Sequence, residues 1–164
     1  MHGFVRFVDG LSVVCAVVAS ILLTGAVLVV TWMVIIRALG YSSYWEIEFA
    51  VYLMVAAVFL GSPYCLKTNG HVSVDLLPTL LPAGSARTVV AVVSVVGLIV
   101  CLYLTYVGAE LTLHSWATGE TSGSLWAPPR WPMFIMMPLG LGLTALQYVA
   151  ELVRLRNQSP GSEP

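Results

Sequence analysis

Four stretches of this 164-residue chain, residues 10–36, 49–66, 88–109 and 131–150, contain no charged side chain. They are 27, 18, 22 and 20 residues long and together leave all 15 Asp, Glu, Lys and Arg residues outside. A hydrocarbon layer about 30 Å thick takes roughly 20 apolar residues of helix, so each stretch can cross a bilayer once. Composition agrees: 59% of residues are hydrophobic and 9% charged, with mean hydropathy +0.91. An average globular chain carries about 25% charged residues, because its water-facing surface has to be covered with polar groups. The pattern predicts an all-α integral membrane protein of four transmembrane helices, forming one domain over residues 1–156. Residues 157–164, polar and rich in Pro and Gly, read as a disordered tail.

Several classes are excluded at this level. Seven Lys and Arg residues scattered singly at a net charge of −1 make no basic stripe for a nucleic acid backbone. The first apolar run is far longer than the 7 to 15 residues of a signal-peptide core, so it reads as a retained span. Cys15, Cys65 and Cys101 lie inside apolar runs and read as free thiols.

Orientation follows from the basic residues. With four spans, Arg6, Lys67, Arg87, Arg154 and Arg156 share one side, and only Arg37 and Arg130 lie on the other. Both termini are therefore expected in the cytoplasm. All five tryptophans, Trp32, Trp45, Trp116, Trp126 and Trp131, fall near the opposite membrane edge, where amphipathic rings prefer the headgroup layer.

The spans carry no ionisable residue, whereas pumps, channels and proton-coupled carriers commonly place one at hydrocarbon depth. Their polar side chains, Ser20, Thr24, Thr31, Ser62, Ser94, Thr105, Thr144 and Gln147, can be satisfied by backbone carbonyls or neighbouring helices. The histidines lie outside the runs, and no nucleophile stands with a base inside them. No catalytic residue, cofactor or metal site is expected. Close helix contacts should use small residues four apart, the candidates being Ala16 with Ser20, Ala57 with Gly61, and Gly140 with Thr144. These residues leave three readings open: a subunit that works by contact, a self-assembling four-helix channel or carrier, or a lipid-bound assembly factor.

Two edge clusters are more specific. The first, residues 37–48, reads R-A-L-G-Y-S-S-Y-W-E-I-E and runs into a span containing F-L-G. Glu46 and Glu48 fall in the first helical turn, where the helix dipole stabilises carboxylates, and Ser42 or Ser43 can cap the helix. The second, residues 67–77, reads K-T-N-G-H-V-S-V-D-L-L, with Asn69-Gly70 as a helix stop. His71, Ser73 and Asp75 alternate with apolar residues, which suits a short interfacial segment between the second and third spans. Pro78 and Pro82 limit any helix there.

Together these clusters resemble the small membrane subunit of tripartite ATP-independent periplasmic (TRAP) transporters, the DctQ-like family. The matching residues are Arg37, Trp45, Glu48, Phe59-Leu60-Gly61, Lys67, Gly70-His71, Val72, Val74 and Asp75. Ser124, Pro128, Trp131, Pro138 and Gly140 follow later in the chain. Val51 and Ile47 depart from the pattern, standing where the family often has a basic residue and a second adjacent acid. The resemblance implies a bacterial or archaeal inner-membrane location and two partners: a large DctM-like permease subunit, and a periplasmic protein that captures a carboxylate-type substrate. The coupling ion, sodium or proton, is expected in the large subunit, which this chain would brace. Arg37, Trp45, Glu48, Gly61, Lys67, Gly70, His71, Asp75 and Trp131 are the expected interface or lipid-edge residues.

Overall fold

The computed structural model describes residues 2–41, 44–68 and 83–157. Four long helices account for most of them: α1 (His2–Ala38), α2 (Glu46–Lys67), α3 (Ala83–Thr118) and α4 (Trp131–Asn157). Each is long and apolar enough to cross a membrane. Among the described residues there is no strand, only an isolated bridge between Thr121 and Pro129.

The helices outrun the charge-free stretches. At about 1.5 Å per residue, the 22-residue α2 just spans a 30 Å core, whereas the 36-residue α3 is roughly 54 Å long. A charge such as Glu110 marks the exit from hydrocarbon and leaves the backbone hydrogen bonds intact, so α3 continues to Thr118. There Gly119, at φ +63°, turns the chain.

Side by side, the helices stand in the order α1, α2, α4, α3, with a smaller contact between α1 and α4; of the described helices α3 meets α4 alone. The core is built from small side chains. Seven of the ten buried apolar residues among those described are alanines, including Ala19, Ala26, Ala57 and Ala145, while Val17, Ile21, Val58, Ile99 and Leu102 point outward. This inversion of the water-soluble pattern fits a lipid environment, where helices gain by close backbone approach and large apolar groups lose nothing outside.

On α1 the inward residues are Val8, Ser12, Cys15, Ala19, Leu22, Ala26, Val29, Met33 and Ile36, at alternating steps of four and three. On α3 the sequence Ser94, Leu98, Cys101, Thr105, Gly108, Thr112 and Ser115 repeats that spacing. A 3.5-residue period keeps one seam facing its neighbour along a left-handed crossing. The expected Ala16–Ser20 pair misses this seam: Ser20 is exposed and the contact residues are Cys15 and Ala19. The other two pairs hold. A Cβ at Gly61 would sit 3.7 Å from Ala19, and Gly140 and Thr144 are both buried against α2.

The α2–α4 crossing has a specific cause. Pro63 lies inside α2 and has no N–H, so the Phe59 carbonyl loses its helical donor. Gly140 of α4 comes against that carbonyl so closely that a Cβ there would lie 2.3 Å from Phe59 O. One turn further on, Thr144 Oγ1 is 2.8 Å from the Gly140 carbonyl and 3.1 Å from Ser62 Oγ. Thr144 donates to the former and accepts from the latter, so both hydroxyls are satisfied.

Inside the spans the hydroxyls bond back to their own helices, as their residue types allow: Ser20 to Ala16 O, Thr24 to Ser20 O, Thr31 to Val27 O and Thr105 to Cys101 O, at 2.7–2.9 Å. The three cysteines are unpaired, Cys15 and Cys101 buried and Cys65 exposed. Ser42, Ser43 and the segment 69–82, on which helix capping and the interfacial segment were expected, lie outside the described residues. At the start of α2 the cap position is Trp45, which makes no side-chain cap hydrogen bond.

Candidate functional site

Polar side chains gather at the two ends of the bundle. At the aromatic end, α2 and α4 both begin and the loop 119–130 closes over them. Arg130 N donates to Glu120 O at 3.0 Å and Ser122 N to Pro128 O at 2.9 Å, which folds the loop into a narrow hairpin. Its tip is fixed by Ser124, whose hydroxyl accepts from Ala127 N at 3.2 Å and donates to Glu48 at 2.5 Å. An O–H bonded to a carboxylate is short and about twice as strong as a neutral pair. Tyr52 donates to Pro129 O at 2.9 Å. The Trp45 ring meets Trp126 edge-on at 6.4 Å and Phe49 at 6.0 Å, and Trp131 meets Trp116 at 4.7 Å. Thus Trp45, Glu48 and Trp131 belong to one structure that ties α2, the loop, α3 and α4 together.

Beside Glu48 a groove of about 540 Å³ opens between α2, the loop and the start of α4. Glu48, Tyr52 and Arg130 line its polar side, and Ile47, Val51, Met133 and Phe134 its apolar side. Glu46 does not share it. Two residues apart on a helix means about 200° of rotation, so the two acids face different ways. Glu46 is 2% exposed, and its Oε2 has no hydrogen-bond partner among the described residues.

At the polar end the centre is Asp9. Its carboxylate pairs with Arg154 and accepts from Gln147 Nε2 at 3.2 Å, while its backbone carbonyl accepts from Lys67 Nζ at 3.2 Å. Gln147, 1% exposed, in turn accepts from Ser12 at 3.0 Å, the hydroxyl proton being shared with the Val8 carbonyl. Arg154 also reaches Glu151 at 3.4 Å. One cluster so joins α1, α2 and α4 where neutral packing alone would leave them free to slide.

Of the expected edge residues, Trp45, Glu48 and Trp131 meet at the aromatic end, Lys67 joins the polar end, and Gly61 lies in the α1–α2 seam. Arg37 is exposed in the last turn of α1. Gly70, His71 and Asp75 lie outside the described residues. Sequence reasoning missed Asp9, Ser12 and Arg154 as contact residues. The available signal was spacing: Gln147 and Arg154 stand seven apart on one helical face, and Asp9 and Ser12 one turn apart on another.

The family described as "Tripartite ATP-independent periplasmic transporters, DctQ component" matches residues 26–158. The ectoine TRAP transporter small permease protein TeaB of Halomonas elongata is 26% identical over 117 residues, 71% of this chain and 60% of that protein. The C4-dicarboxylate TRAP transporter small permease protein DctQ of Rhodobacter capsulatus is 26% identical over 110 residues, 67% of this chain and 48% of that protein. The chain thus spans about half to three fifths of the length of these curated relatives. With a match over most of its residues and four membrane-crossing helices, the chain belongs to the DctQ family of TRAP transporter small permease components, multi-pass proteins of the prokaryotic inner membrane.

Proposed function

We propose that this chain braces the large permease subunit of a TRAP-type transporter, with both termini in the cytoplasm and the aromatic end facing the periplasm. The observation that carries the reading is the three-level locking of α2 to α4. Glu48 is tied to Ser124 at one end, Gly140 lies against Phe59 in the middle, and Lys67 and Arg154 share Asp9 at the other end. A carrier that alternates access needs helices that rock past one another. A brace needs the opposite, and this arrangement resists both sliding and tilting. The moving parts, the substrate site and the coupling ion then belong to the large subunit. The substrate, of carboxylate type, arrives on a periplasmic binding protein that meets the loop 119–130 and the connection after α1. The two curated relatives are named for different substrates, which fits selectivity lying outside the small subunit.

Vesicles containing the large subunit, supplied with binding protein and a carboxylate substrate, should take it up only when this chain is co-reconstituted. Uptake at the full rate without it would overturn the bracing role. Uptake by this chain alone would show it to be a carrier in its own right.

A further inference from the structure

The groove beside Glu48 combines features beyond the Glu48–Ser124 tie on which the bracing role draws. Its floor is apolar, formed by Ile47, Val51, Met133 and Phe134, and its rim holds one carboxylate and one guanidinium, Glu48 and Arg130. Among the described residues Glu48 accepts one hydrogen bond, from Ser124, and Arg130's side chain has neither hydrogen bond nor ion pair. A small polar solute would leave the apolar floor wet, so the ligand should have both a charged head and an apolar tail. The groove is lined by Glu48 and Ser124, and the same two elements carry the paired rings of Trp45 and Trp126, of the type that marks the headgroup layer.

The rim charges narrow the class of head. An anionic head would pair with Arg130 but be repelled by Glu48. A head carrying both a phosphate and an ammonium satisfies each. The N-terminal ends of α2 and α4 both lie here, and their partial positive charge adds to the attraction for phosphate. We propose that this groove binds a phospholipid of the phosphatidylethanolamine type, its phosphate at Arg130, its ammonium at Glu48 and an acyl chain along the apolar floor. Such a lipid would bridge α2 and α4 at the end where the loop closes over them. The proposal does not depend on the transporter reading.

Native mass spectrometry of the full chain, purified in detergent and offered equal amounts of phosphatidylethanolamine and phosphatidylglycerol, tests it. The chain should retain the ethanolamine lipid in excess by about threefold, the range expected for a partly solvated charge pair. Glu48→Gln removes the negative rim charge and should reverse the preference, whereas Arg130→Gln should lower retention of both lipids. Equal retention by the native chain, or an unchanged ratio in Glu48→Gln, would overturn the site. So would displacement of the lipid by an equal concentration of glycerophosphoethanolamine, which lacks acyl chains. If Glu48→Gln fails to fold, competition on the native chain with phosphatidylcholine decides, because a trimethylated ammonium has no N–H to donate. The ethanolamine lipid should win, and parity would count against the proposal.

Discussion

At the scale of single residues, the glycines separate close approach from mere proximity. A methyl group at Gly140 would meet the Phe59 backbone at 2.3–2.5 Å, and a backbone carbonyl inside a packed helix cannot turn aside. At Gly97 the obstacle is the Tyr148 ring, 2.5–2.8 Å away but at the far end of a rotatable side chain. At Gly61 the nearest atom is Ala19 Cβ at 3.7 Å, an ordinary contact. Alanine at these positions should therefore destabilise in the order 140, 97, 61. Gly140→Ala should cost about 1–3 kcal/mol by overpacking and Gly61→Ala less than about 0.5 kcal/mol. Thermal unfolding of the purified variants in one detergent checks the order, and equal melting temperatures for Gly140→Ala and Gly61→Ala would contradict the crossing described above.

Elements are where sequence and structure part company in an instructive way. The existence and number of spans were legible because lipid excludes charge, and that exclusion acts on every residue of the run. Helix ends were less so: Glu110 bounds the third apolar run, yet α3 proceeds two turns beyond it because a charged side chain in the headgroup layer does not disturb backbone hydrogen bonds. The buried face of each helix was hardest to read. With Val, Leu and Ile on all sides of α1, no amphipathic stripe exists, and only the small residues Ser12, Cys15, Ala19 and Ala26 record the seam. The resemblance brought out Ser124 and Gly140 without a reason for them. Structure supplies one, since Gly140 meets the carbonyl that Pro63 frees and Ser124 joins the loop to α2. For polar partners distant in sequence, such as Asp9 with Gln147, spacing marks a polar face on each helix but not which faces pair. The loop offers an element-scale test. Ser124→Ala deletes the hydroxyl that holds both Ala127 N and the Glu48 carboxylate, a change worth about 1–3 kcal/mol when a charged acceptor loses its donor. Since the hairpin bonds of Ser122 and Arg130 remain, the loss should appear as faster amide exchange in residues 123–127 with α2 unaffected. Exchange spreading through α2 would mean that the loop holds the helix and not the reverse.

For the whole molecule the open physical question is direction across the bilayer, and the distribution of basic residues is what bears on it. Five of the seven basic residues lie at the end that holds Asp9, Lys67 and Arg154, where the positive-inside rule places the cytoplasm. The opposite end presents Trp45, Trp126 and Leu125, the last 84% exposed at the tip of the hairpin. In the proposed orientation the loop faces the periplasm, and α2 and α4 aim their N-terminal dipoles outward. Leu125→Cys, in a chain whose Cys15, Cys65 and Cys101 are replaced by alanine or serine, places one thiol at that tip without touching the Ser124 or Trp126 contacts. A membrane-impermeant maleimide should label it in intact cells within the time taken to label a periplasmic control. A cysteine introduced at Val153, near Arg154 at the opposite end, should react only after the membrane is permeabilised. The reverse pattern would invert the molecule, remove the loop from reach of a periplasmic binding protein, and leave the bracing role without the contact through which delivery is proposed to occur.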